Sequence, residues 1–153
     1  MDVGDVVEDF ELPDENGGRR RLSDLATTGP VVLFFYPAAM TYGCTRESCH
    51  FRDLNGEFEA LGAHPVGISG DQVAKQKQFS EKYSFPFPLL SDAEGTVAGL
   101  FGVRRRIAAL GNRRATFVID TDRRVLGVIH SELSFASHAD KALELLRSRA
   151  NAA

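Results

Sequence analysis

Two cysteines, Cys44 and Cys49, are the only thiols in the 153 residues, and they stand five positions apart. They follow an apolar run, Val31-Val-Leu-Phe-Phe-Tyr36, and lie in the stretch Pro37-Ala-Ala-Met-Thr-Tyr-Gly-Cys44-Thr-Arg-Glu-Ser-Cys49. Pro37 ends the run, Thr41 and Gly43 build a turn, and helical periodicity begins near Cys44. A thiol at such a junction meets the unpaired N–H groups and the positive end of a helix, both of which favour an anion. The thiolate is the nucleophilic form of cysteine, so this position suits Cys44 to attack an electrophile, although most free cysteines are buried and inert. The spacing carries a second consequence. Positions five apart on a regular α-helix are separated by about 140° and 7.5 Å of rise, with Cα atoms about 8.7 Å apart. A disulfide needs them within about 7 Å. Cys44 and Cys49 therefore bond only if the helix between them unwinds locally, which Gly43 and Gly56 make easier.

Elements that position such a site follow from periodicity. The segment 6–12 alternates like a short strand, 13–18 supplies turn residues, and 19–22 forms the return strand of a hairpin. Ser23-Asp-Leu25 opens a short helix. The run 31–36 is apolar throughout, as in a central strand covered on both faces. Phe51, Leu54, Phe58 and Leu61 then recur at helical spacing, with Cys44 on the same stripe. Pro65-Val-Gly-Ile-Ser69 reads as a strand. Asp71 caps a helix that runs to about Tyr83 and buries Val73, Phe79 and Tyr83. The two prolines in 86–90 make that segment extended. A short helix is expected over 95–101, an antiparallel pair over 115–119 and 125–129, and a final amphipathic helix carrying Ala139, Ala142, Leu143 and Leu146. This order predicts an α/β chain with a central mixed β-sheet flanked by helices, in the order of a thioredoxin-like fold with an N-terminal β-hairpin.

Bulk properties narrow the function classes. The length fits one domain over residues 1–153 with a real core. A net charge of −3, with 43% hydrophobic and 25% charged residues, gives no bulk attraction to nucleic acid or membrane. The first twenty residues lack an apolar signal core, and the longest apolar stretch falls short of a membrane span. The reading is a soluble, cytoplasmic chain whose two cysteines are catalytic or redox-active rather than a staple.

Several segments together resemble one family. Pro37-xxx-Thr41-xx-Cys44 is similar to the active-site motif of peroxiredoxins, thiol peroxidases of thioredoxin-like fold. Cys49 five residues on resembles the bacterioferritin comigratory protein or peroxiredoxin Q subfamily. Gly4-Asp, Asp9-Phe-Glu-Leu-Pro-Asp14, Phe51-Arg-Asp53, Pro88-Leu-Leu-Ser-Asp92 and Arg114-Ala-Thr-Phe-Val-Ile-Asp120 match further landmarks in the same order. The resemblance implies that Cys44 is the peroxidatic cysteine and Cys49 the resolving one. It implies that Thr41 and Arg114 face the peroxide and the thiolate, that Pro37 shields the pocket, and that Glu47 helps to hold the arginine. Gly43 belongs to the same turn. It further implies a peroxide substrate, an intramolecular Cys44–Cys49 disulfide, a thioredoxin or similar thiol reductant, a monomer, and no metal or organic cofactor. Tyr42 departs from the pattern, since most relatives have proline there; its loss frees one N–H and relaxes φ.

Other readings compete. Cys44, Cys49, His50 and His64 lack the spacing of a zinc site. His50, His130 and His138 read as surface or strand-end residues. Five arginines lie within 104–114; we read them as a solvated loop from which only Arg114 reaches inward, rather than a nucleic-acid patch. A thiol–disulfide oxidoreductase would use Cys-x-x-Cys. A redox-sensing binding module would stop after about one equivalent of peroxide, where an enzyme turns over.

Overall fold

The structure, a computed structural model, describes residues 1–107 and 110–152. Its centre is β3 (Val31–Phe35), every residue of which is buried. β3 pairs in parallel with β4 (His64–Ser69) and antiparallel with β6 (Ala115–Ile119). The sheet is completed by β5 (Leu89–Ser91) and β7 (Val125–His130), giving the order β5-β4-β3-β6-β7. A separate two-stranded ribbon joins β1 (Glu11–Pro13) to β2 (Arg19–Arg21).

Alternation along β3 divides the core between the two faces of the sheet. Leu33 and Phe35 face one cluster with Ile68, Phe101 and Phe117, covered by α1 (Leu22–Leu25) and α5 (Thr96–Leu100). Val32 and Phe34 face the other cluster. That side is covered by α2 (Tyr42–Asp53), α3 (Asn55–Ala60), α4 (Val73–Tyr83) and α6 (Phe135–Ala152), which contribute Phe51, Phe58, Phe79 and Leu143. The ring of Phe34 stacks on Phe51 with centroids 4.1 Å apart, fastening α2 to the central strand. Among the described residues no helix is long and apolar enough to cross a membrane.

Three expectations change. The first strand is confined to 11–13, because Val7 and Phe10 are drawn into the core and Val6 makes only an isolated bridge to Arg124. The stripe from Phe51 to Leu61 is carried by two helices that break at Leu54, whose φ of −95° and ψ of 2° leave the helical ladder. Asp71 does not cap α4. Gln72 occupies that position, and the Asp71 carboxylate instead accepts the Ala39 N–H at 2.7 Å.

Phe34→Ala removes a fully buried ring at the junction of sheet and helix, so it is expected to cost about 3–5 kcal/mol of stability. Urea denaturation of the reduced protein measures this loss.

Candidate active site

β3 runs directly into the turn that carries the cysteines. Tyr36 is fully buried and its hydroxyl donates to Gln76 Oε1 at 2.6 Å. Met40 in the turn adopts a left-handed φ of 69°. Thr41 is extended, with φ −82° and ψ 158°, and its hydroxyl donates back to the Ala38 carbonyl at 2.7 Å and accepts no bond from a helix N–H. The helix starts at Tyr42, the first helical position, where a proline or its absence changes no intrahelical hydrogen bond. Tyr42 is 73% exposed, and Arg46 lies over its ring at 5.7 Å. Cys44 therefore occupies the first turn, where N–H groups lack intrahelical acceptors.

The sheet register explains how a residue seventy positions away reaches Cys44. Phe35, at the C-terminal end of β3, is paired with Ala115, the first residue of β6. Arg114 thus enters beside the end of β3 and the start of α2. Its Nη2 donates to Cys44 Sγ at 3.3 Å and its Nη1 to Glu47 Oε1 at 3.1 Å. All three side chains are buried, with Cys44 1% exposed and Glu47 fully enclosed. Burial pushes the Glu47 carboxyl up to about 8, against the charge and hydrogen bond of Arg114, which act downward. Glu47 thus fixes one arm of the guanidinium while the other arm meets the sulfur.

Further residues, not found from the sequence, complete this arrangement. His138 is fully buried rather than on the surface. Its Nδ1 meets Thr116 Oγ1 at 2.9 Å and its Nε2 meets the Ser131 carbonyl at 2.7 Å. Nε2 also lies 3.6 Å from Glu47 Oε2, an oxygen without a hydrogen-bond partner among the described residues. Burial pushes the His138 imidazole down, and Arg114 adds to the effect, so the ring is held neutral despite the hydrogen bond to Ser131. Glu132 accepts the backbone N–H of Arg114 at 3.0 Å. Phe135 stands over the guanidinium at 4.9 Å. Their only signal in the sequence is the three-residue spacing of Phe135 and His138, which puts both on one side of α6.

Cys49 is in the same helix, half-buried, and both cysteines are free thiols. It opens onto a cleft of about 550 Å³ that also contains Thr45, Arg46, His50 and Phe135. Burial raises the Cys49 thiol above its ordinary value, outweighing Arg52. His50 bonds Asp140 at 2.7 Å and ties α2 to α6. Pro37 abuts the loop at Gly111, where a Cβ would stand 2.2 Å from the Pro37 carbonyl oxygen. No cluster of His, Cys, Asp and Glu able to hold a metal ion occurs among the described residues.

Known proteins resemble this chain in both sequence and fold. The sequence model of the AhpC/TSA family matches residues 3–128. The chain belongs to the AhpC/TSA family. The crystal structure of peroxidoxin BcpB from Mycobacterium tuberculosis is 61% identical and superposes with a TM-score of 0.93 over 97% of each chain. Chloroplastic peroxiredoxin Q of Populus jackii is 37% identical over 148 residues, 97% of this chain and 69% of its own. The bacterioferritin comigratory protein of Xanthomonas campestris, whose structure was described for its alkyl peroxide reduction activity, is 32% identical with a TM-score of 0.83 over 92% of each chain. The protein is thus a peroxiredoxin, a thiol peroxidase of the bacterioferritin comigratory protein and peroxiredoxin Q group, with the thioredoxin-like fold.

The charge state of Glu47 in this peroxiredoxin has a measurable signature. An unfolded glutamate ionises near 4.5, whereas the folded one holds its proton up to about 8. Between those values the folded state binds more protons, so Glu47 makes stability fall as pH rises through the window. Glu47→Gln removes that contribution. The stability of the variant relative to the parent is expected to increase from about pH 5 to about pH 8, as read by urea denaturation across the range.

Proposed function

We propose that Cys44 is the peroxidatic cysteine and Cys49 the resolving one in a cycle recycled by an external dithiol. The observation that carries this reading is the guanidinium of Arg114, bonded to Cys44 Sγ at 3.3 Å and to the buried Glu47 at 3.1 Å. A buried cation at a helix N-terminus stabilises the negative charge that a reacting sulfur carries. The thiolate attacks the terminal oxygen of a peroxide: the S–O bond forms, the O–O bond breaks, and the departing oxygen takes a proton to leave as water or an alcohol. Cys44 becomes a sulfenic acid. Arg114 and the first N–H groups of α2 stabilise charge as it moves onto the oxygens. Thr41 has its own proton committed to Ala38, so its lone pairs accept the peroxide O–H and orient the substrate. Pro37 and Gly43 shape the turn around that position.

Resolution requires motion. Both cysteines lie in α2, and the separation of positions five apart in a helix exceeds disulfide range. Anchoring of α2 is uneven: Phe51 fixes its C-terminal end to the core, whereas Arg114 and Glu47 hold its first turns by hydrogen bonds. Conversion of a thiolate to a neutral sulfenic acid removes the charge that draws Cys44 to Arg114. The first two turns then unwind and Cys49 attacks the Cys44 sulfur, forming the S–S bond. Hydroxide leaves and takes a proton to become water. Two electrons from a thioredoxin-like dithiol restore both thiols. That dependence on a reduced dithiol is the support for a cytoplasmic location. Residues 1–153 act as one domain and as a monomer, with hydrogen peroxide and organic hydroperoxides as substrates.

Peroxide consumption with a dithiol donor, combined with mass spectrometry of the products, tests the cycle. Cys44→Ser is expected to be inactive, and Cys49→Ser to stop as a sulfenic acid or mixed disulfide after about one equivalent. In the oxidised wild type, hydrogen exchange is expected to lose protection over the first turns of α2 while Phe51 remains protected. An active Cys44→Ser enzyme would sink the assignment.

A further inference from the structure

Phe135 opens α6 and is half-buried, yet it belongs to neither apolar cluster that covers the sheet. A ring that is not part of the core needs another account, and its contacts supply one. Arg114 Cζ lies over this ring, 4.9 Å from its centroid, within range of a cation–π contact. On the α2 side the ring lies against Gly43: a Cβ there would stand 2.7 Å from Phe135 Cζ and 3.2 Å from Arg114 Nη2. It also lines the cleft that contains Cys49.

These contacts address a problem that the two hydrogen bonds of Arg114 leave open. Arginine has a long side chain, and one planar fork must serve Sγ and a carboxyl oxygen together. Nε has no hydrogen-bond partner among the described residues, so nothing polar fixes that end of the plane. We propose that Phe135 is a positioning residue of the peroxidase site: its ring clamps the face of Arg114 so that Nη1 stays on Glu47 while Nη2 stays on Cys44. The proposal rests on Cys44 being the reacting thiol. The clamp depends on the fold of α2, because its second wall is the Gly43 backbone. The first turn of α2 and the orientation of Arg114 are therefore coupled through one ring. The cleft side of the same ring places the clamp between Cys44 and the cleft that holds Cys49.

The test isolates the first chemical step in a Cys49→Ser parent, following sulfenic acid at Cys44 after rapid mixing with hydrogen peroxide, trapping with dimedone and mass spectrometry. Phe135→Leu and Phe135→Met keep much of the apolar volume but lack a π face; Phe135→Tyr retains it. The two aliphatic variants are expected to react about threefold to thirtyfold more slowly than the parent, and the tyrosine variant within about twofold of it. Rescue by tyrosine but not by leucine or methionine is a pattern that simple space-filling does not produce. A parent that forms no sulfenic acid would overturn the assignment of Cys44 itself. Aliphatic variants that match the parent rate, or a tyrosine variant as slow as they are, would overturn the clamp while leaving Cys44 in place.

Discussion

A single buried cation organises this protein. Arg114 carries a charge that cannot be given up, in a place where water does not reach it, and it is offered two acids one helical turn apart. Two full anions would compete for it and one neutral pair would waste it. Burial pushes the Glu47 carboxyl up to about 8 while its Oε1 still accepts from one arm of the guanidinium, and the other arm is bonded to the sulfur. The fully buried, neutral His138 on the far side of Glu47 adds no second cation to disturb that division.

The fold serves this arrangement through register. Because β6 runs antiparallel to β3, the residue before β6 arrives where β3 ends and α2 begins. The helix that supplies the positive N-terminus and the strand that delivers the arginine are thereby fixed to the same row of backbone hydrogen bonds. α6 closes the third side, with Phe135 on the guanidinium and His138 near the carboxyl. The first turn of α2 meets α6 at Phe135, whereas the C-terminal end of α2 is held to the sheet by Phe51.

Much of this was legible in the amino-acid order where the signal was local. The apolar run 31–36, the helical stripe after Cys44 and the two strands around 120–123 each declare themselves by periodicity, and all appear as elements. Local signals misled where tertiary packing chose otherwise. Alternation over 6–12 suggested a strand, but Val7 and Phe10 serve the core from an irregular segment. Asp71 has the chemistry of a helix cap, yet the Ala39 N–H across the site claims its carboxylate. At the site, the cysteines stood out by their number and their place after the apolar run, and Arg114 through the family resemblance. Phe135 and His138 did not, because their partners Gly43, Arg114, Thr116 and Ser131 come from other elements. A buried histidine and a surface one look alike until the fold brings their neighbours.

The bond from Ala39 to Asp71 has one more effect. Asp71 is tied through Ser69 to Gln76 and so to Tyr36, a chain of hydrogen bonds that is buried at its Gln76 and Tyr36 end and lies wholly outside α2. Starting a helix is its slow and costly step, since several residues must be fixed before the first hydrogen bond returns anything. Here the turn before the helix is moored to β4 and α4 independently of the helix beyond it, with Thr41 extended at its edge. The C-terminal end of α2 is held separately, by the stacking of Phe51 on Phe34. In the proposed cycle the unwound stretch is therefore bounded by two fixed ends, and the helix regrows from the turn still standing at Phe51, by elongation rather than by nucleation.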